Sequence, residues 1–229
     1  MLDQLFAQTS VDFNAQNAHS IIIWAIKNAN SYFDEQLIEL FDYMTGKANI
    51  TLYKSNERTF GKEEWRYCRK PDGLERYKLD LRIVVSRAGG IKVDSWSKQA
   101  CGLETRCLNF INDIVTVASN LNYDVSITER PDKLHWASNV KHEFYYHNHS
   151  TGKPELLFDC RAFQNGNIHL RFAQSFICDL NIENGRLRGW LKNGYEAAEE
   201  LEISPEIAIQ AFTKNLKLTD KSVPLLLAS

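Results

Sequence analysis

The chain has 229 residues, 44% apolar and 24% charged, with a formal net charge of −2. This is ordinary globular composition, with enough chain for one or two cores, and it excludes an overall electrostatic pull toward nucleic acid or membrane. Charge is uneven, however: Lys54 to Lys92 holds eleven Lys/Arg against six Asp/Glu, and Asn193 onward holds three against six.

In chain order, MLDQLFAQTS has no basic stretch ahead of an apolar run, so no signal peptide is expected. Residues Asp12 to Asn30 follow helical spacing through Phe13, Ala18, Ile21, Ile22, Ala25 and Ala29. Ile23, Trp24 and Ile26 broaden the stripe, which suggests burial on more than one side or an oligomer contact. Even its longest apolar run, Ile21 to Ile26, is too short to cross a bilayer. Ser31 is placed to cap a second helix, Tyr32 to Thr45, giving either an antiparallel hairpin or one bent helix. Ile50 to Tyr53 reads as a short strand and Ser55 to Gly73 as a loop. Tyr77 to Arg87 alternates as a half-buried strand, ended by Ala88-Gly89-Gly90. Ile91 to Trp96 reads as a short partner strand. Leu103 to Leu121 has the strongest helical period in the chain. Tyr123 to Ile127 is expected to enter a strand, and Glu129 to Ser138 to be a loop. Lys141 to His147, Glu155 to Phe163 and Asn167 to Phe172 form an antiparallel meander. A helix at Gln174 to Leu180, a basic loop or short helix NGRLRGWL, and Glu196 to Leu201 follow. Ser204-Pro205-Glu206 opens a last helix, to about Lys214, before a tail ending VPLLLAS.

The fold class expected is α+β: an antiparallel meander covered by helices, with an N-terminal helical pair. The organisation expected is an N-terminal helical segment at 1–48, an α+β core at 49–203, and a C-terminal helix and tail at 204–229, in one compact domain overall.

The hairpin register can be chosen from its side chains. A two-residue loop at Asn165-Gly166 pairs Phe163 with Ile168 and mixes apolar with charged residues on both faces. A three-residue loop, Gln164-Asn165-Gly166, segregates them. Phe158, Cys160 and Ala162 then share a face with Ile168, Leu170 and Phe172. The other face sets Asp159 opposite Arg171 and Arg161 opposite His169. A left-handed Gly166 suits the bulged turn this needs.

Chemistry-bearing motifs are scarce. The sequence has no P-loop, GxGxxG after a strand, HExxH, GxSxG or EF-hand loop, and no Asn-Pro-Pro motif of the adenine methyltransferase type. The five cysteines have no CxxC spacing, which points to reduced thiols in a cytoplasmic protein rather than to zinc or disulfides. No cofactor, metal set or catalytic residue is assigned. His147 and His149 share a strand face and, with His142 or an acid, could hold a metal; polar residues are also what a turn calls for there. The polar hairpin face is the stronger candidate. Asp159, Arg161, His169 and Arg171 converge there, either as a phosphate site or acid–base set or as cross-strand ion pairs of about 0.2–1 kcal/mol each. Arg186, Arg188 and Trp190 add two cations and a stacking ring, the ingredients of a nucleic-acid or peptide groove.

The segments AFQNGNIHLRF and DLNIENGRLRGWL, with YKLDLRIVVSRAGGI, GLETRCLNFINDIVTVASNL and LHWAS upstream, resemble a family called domain of unknown function 4942. The resemblance covers roughly Asn49 to Leu201. It implies a protein of bacterial mobile elements, on plasmids or phages, acting near DNA modification, restriction or host defence; some members are fused behind a DNA methyltransferase domain. It implies no catalytic residue. The function expected is a non-catalytic DNA-, RNA- or protein-binding module. The alternatives are a metal-dependent nuclease-like hydrolase using Asp159, His169 and His147, and an inhibitor of a host defence enzyme. DNA or a modification or defence protein is the expected partner, with a homo-oligomer possible and no membrane.

Overall fold

The computed structural model describes residues 15–48, 51–56, 76–96, 99–214 and 216–217. Two compact units divide the chain. One spans Glu35–Leu216; the other is Met1–Asp34 with Lys217–Ser229, of which residues 15–34 and 217 are described.

A single helix, α1 (Ala15–Thr45), replaces the helical pair. Ser31 does not cap a second helix; its hydroxyl donates to Lys27 O one turn back, at 3.2 Å, which a serine inside a helix can do without breaking it. In the smaller unit the broad stripe is not buried: Ile22 and Ile23 are 37% exposed and Trp24 is 44% exposed. Apolar residues spread around a helix give it no single face to bury. Lys217 pairs with Asp34 in the same unit.

The larger unit is α+β. Its centre is a four-stranded antiparallel sheet in the order β3 (Arg82–Val85), β8 (Ile168–Phe172), β7 (Lys153–Ala162), β6 (Lys141–Asn148). Two small antiparallel ribbons accompany it: β1 (Thr51–Leu52) with β2 (Tyr77–Lys78), and β4 (Ile91–Val93) with β5 (Ala100–Leu103). The sheet's apolar face carries Ile83, Leu170, Phe172, Phe158, Cys160 and Phe144, all buried. Against it pack α2 (Thr105–Asn120), through Cys107, Phe110, Ile111 and Ile114, and α3 (Gln174–Leu187), through Phe176, Ile177 and Leu180. The end of α1 joins this core with Leu37, Leu40, Phe41 and Met44. α4 (Gly194–Leu201) and α5 (Pro205–Thr213) close a smaller cluster around Leu191, Ala197 and Ala208. Ser204 caps α5 through Ile207 N, with Pro205 at the first position. Among the described residues no helix is long and apolar enough to cross a membrane.

The hairpin has the three-residue loop. Asp159 pairs with Arg171, Arg161 with His169 and Ala162 with Ile168, and Gly166 sits at φ +85°. Phe163 N donates to Asn167 O, and Gly166 N donates to Phe163 O. The Ala88-Gly89-Gly90 break rests on this turn: Ala88 N donates to Gly166 O at 2.7 Å and Ile91 N to Phe163 O at 3.1 Å. A Cβ on Gly90 would lie 2.1 Å from Phe163 O, so only glycine allows that approach.

Four sequence expectations differ from the structure. The Tyr77 to Arg87 strand is interrupted at Leu79–Leu81, where the buried Asn181 side chain binds Leu79 in place of a neighbouring strand. Ile91–Val93 pairs with Ala100–Leu103, not with the upstream strand. Tyr123 to Ile127 is a turn with one bridge, Asp124 to His147, because Ser126 N donates to Asp124 Oδ1 and curls the chain. The helix starting at Gln174 runs on to Leu187 and absorbs the first half of the expected basic loop or short helix. The loop expected at Ser55 to Gly73 and the VPLLLAS tail lie outside the described residues, apart from Ser55 and Asn56.

Candidate functional site

Period-2 alternation sends one set of side chains from each central strand away from the core. Sheet order then lines these sets up in two cross-strand rows. One row reads Arg82, Arg171, Asp159, Glu143; the next reads Val84, His169, Arg161, Lys141. They form an open depression of about 470 Å³ lined by Arg82, Lys141, Asp159, Arg161, His169 and Arg171.

Asp159 is the buried member of this face, 7% exposed. Its Oδ2 accepts from Arg171 Nε at 2.7 Å and Nη2 at 2.6 Å. Lys141 pairs with Glu143, which also accepts from the Tyr145 hydroxyl at 2.7 Å. These two donors hold the Glu143 carboxyl below the usual carboxylate range. Among the described residues Arg161 reaches only the neutral Asn139, its Nη1 3.3 Å from Asn139 Oδ1. Asn139 is brought there by the LHWAS segment, whose Trp136 is buried and donates from Nε1 to Pro131 O. Among the described residues Arg82 has no acidic partner. Phe163 packs on His169 with ring centroids 4.5 Å apart.

The structure thus brings together Asp159, Arg161, His169 and Arg171, and places Arg186, Arg188 and Trp190 elsewhere, in the helical layer on the core side. Arg186 is taken up by Glu183, with Nε at 2.7 Å and Nη2 at 2.6 Å from its oxygens. Arg188 donates to Asp42 at 2.7 Å and to Asn184 at 3.1 Å, and lies 5.1 Å from the Trp190 ring centroid. Trp190 packs edge-on against Tyr77 and Tyr53. Arg188 ties the end of α3 to α1, Arg186 is paired within its own helix, Trp190 is packed among tyrosines, and none of the three lines the depression.

His147 and His149 have ring centroids 5.0 Å apart, and His149 Nε2 lies 3.1 Å from Asp124 Oδ2. His142 lies apart from them, packed on Trp136 at 4.0 Å. Burial, chiefly, pushes the His142 imidazole pKa down. Among the described residues no group of three His, Cys, Asp or Glu side chains is placed to hold a metal.

The family model described as Domain of unknown function (DUF4942) matches residues 1–190. The chain belongs to this family. The DUF4942 match takes in every residue of the depression and ends at Trp190, and it extends N-terminal of the Asn49 at which the motif resemblance begins. No curated protein and no solved structure matches the chain.

Sequence reasoning missed Arg82 and Lys141. Both were visible as polar positions of alternating strands, in YKLDLRIVV and KHEFYYH. Missing was the sheet order, which seats β3 beside β8 and completes the rows.

Proposed function

We propose that the chain is a non-catalytic module that binds nucleic acid on the polar face of its central sheet. One observation carries this reading. Cations stand directly opposite one another twice, Arg82 against Arg171 and Lys141 against Arg161, while the opposed carboxylates Asp159 and Glu143 are each held by a cation, Arg171 and Lys141. Directly opposed like charges destabilise a sheet, and a bound polyanion relieves the repulsion between the cations. Four cations face two carboxylates here, in a concave, exposed setting suited to phosphates. Asp159 supports the same reading, since its Oδ2 is occupied by Arg171 and its row is not that of His169, which favours anchoring a guanidinium over acid–base work. The motif resemblance supports a setting near DNA modification or host defence, where such a module presents nucleic acid to other proteins.

Titrating labelled DNA and RNA at several salt concentrations tests this. Affinity is expected to fall steeply with salt, and the double variant Arg82→Glu, Arg161→Glu to bind at least tenfold more weakly with a shallower log–log salt slope, by about 1.4 for a single strand. Failure of any nucleic acid to bind at low salt, or a double variant that binds as the parent does, overturns the proposal.

A further inference from the structure

We infer that the occupant of this face is a single strand, with its bases on aromatic rings at either end of the cation rows and its phosphates between them. The inference rests on the nucleic-acid reading above and specifies it. Tyr145 marks one end: it follows Glu143 on β6, its ring is 38% exposed, and it stands opposite Leu156. Phe163 and His169 mark the other, their rings tilted at 43° beside the hairpin turn. From Leu156 to Phe163 the path along β7 is roughly 20 Å at about 3.3 Å per residue. Asp159, Arg161 and the cations paired with them fill that interval.

Both ends are held in place before any ligand arrives. The Tyr145 hydroxyl donates to Glu143 Oε2 at 2.7 Å, and Tyr145 O accepts from the Thr128 hydroxyl at 2.6 Å. Phe163 N donates to Asn167 O, while Phe163 O accepts from Gly166 N and Ile91 N. These bonds fix the backbone at Phe163, whose ring packs on His169, and the hydroxyl of Tyr145; rings placed in this way stack bases at little entropic cost. A duplex offers such a face only its phosphates, because its bases are stacked inside. Reading a duplex also calls for a helix or ribbon that enters a groove, whereas this surface is a depression across short strands.

The test is fluorescence anisotropy with four probes: a thymine or uracil oligonucleotide of about 12 nucleotides, a duplex of equal length, inorganic polyphosphate and an acidic peptide. The single strand is expected to bind at least tenfold tighter than the other three. Tyr145→Leu and Phe163→Leu are each expected to weaken it roughly tenfold with the salt slope unchanged, because a ring contacts no phosphate. Tyr145→Phe, which keeps the ring and loses only the hydroxyl bond to Glu143, is expected to weaken binding far less than Tyr145→Leu, and this separates stacking from misfolding. If duplex binds as well as single strand and the ring variants change nothing, this inference fails while nucleic-acid binding stands. If only polyphosphate or the peptide binds, both fail.

Discussion

The two sides of the central sheet treat charge in opposite ways. Behind it, in the helical layer, each cation of the basic segment has a carboxylate: Arg186 has Glu183 and Arg188 has Asp42. The buried Glu200 carboxylate is met there too, by the backbone N–H groups of Lys54 and Ser55, which donate to it. In front, Arg82 faces Arg171 and Lys141 faces Arg161. Counting basic residues in the sequence makes the two regions look alike. Partner supply tells them apart: both rear arginines are taken up by carboxylates, while in front Asp159 and Glu143 hold Arg171 and Lys141, and among the described residues Arg82 and Arg161 have no carboxylate. Groups behind the sheet should therefore govern stability, and groups in front should govern binding.

The largest effect expected is at Asn181, in the rear layer. It is 4% exposed, its Nδ2 donates to Leu79 O at 2.9 Å, and its Oδ1 accepts from Leu79 N at 2.8 Å. Asn181→Ala leaves two buried backbone groups unpaired at the strand break. The expected loss is about 3 kcal/mol, summing about 1–3 kcal/mol per abandoned group, read as a lower urea midpoint. A loss under about 1 kcal/mol would show that the break between β2 and β3 is held by something other than this amide.

A smaller effect probes the exclusion of charge from the sheet's apolar side. Burial pushes the thiols of Cys107 and Cys178 up to about 11 from an ordinary 9.0, and lifts Cys160, on the strand that carries Asp159 in front, well above it. Below about pH 9 both the folded and the unfolded chain keep these protons, and the stabilisation is complete. As pH rises from 9 toward 11, the unfolded chain releases protons that the folded chain retains, so stability falls, by on the order of 2 kcal/mol for Cys107. Urea unfolding at a series of alkaline pH values should show this decline, and Cys107→Ala should flatten it. An equal slope in the variant would mean that Cys107 is not the thiol responsible.

The hairpin shows how much of this was legible. Its register followed from segregating Phe158, Cys160 and Ala162 from Asp159 and Arg161, because a slip of one residue exchanges the faces of a whole strand. The helix Thr105–Asn120 and the Ser204-Pro205 start were equally plain from period and capping. Three features depended on long-range partners that no local window contains. Asn181 interrupts a strand a hundred residues upstream, β3 finds β8 to complete the cation rows, and Asp42 takes up the Arg188 that a local reading assigned to a groove; Glu183, three residues before Arg186, was within local reach once the helix was extended past Leu180. Four of the six charged or histidine residues lining the depression were therefore readable, those lying within one hairpin.

The smallest effect expected on stability is the one that most sharply separates the two sides. Arg82 is exposed and, among the described residues, has no acidic partner, while Arg171 opposite it is already bound to Asp159. Removing it should cost no stability: Arg82→Ala is expected within about 0.5 kcal/mol of the parent, on the stabilising side, because one repulsive cross-strand pair disappears. Raising salt screens that repulsion, so the gain should be largest at low ionic strength and vanish near 1 M, where the Debye length is about 3 Å. The same variant should bind nucleic acid more weakly, with its salt slope lowered by about 0.7 for a single strand. A residue that improves the fold when deleted but harms binding is kept for the ligand. If Arg82→Ala instead destabilises the chain by more than about 1 kcal/mol, Arg82 is a structural cation like Arg188, and the distinction between the two sides of the sheet collapses there.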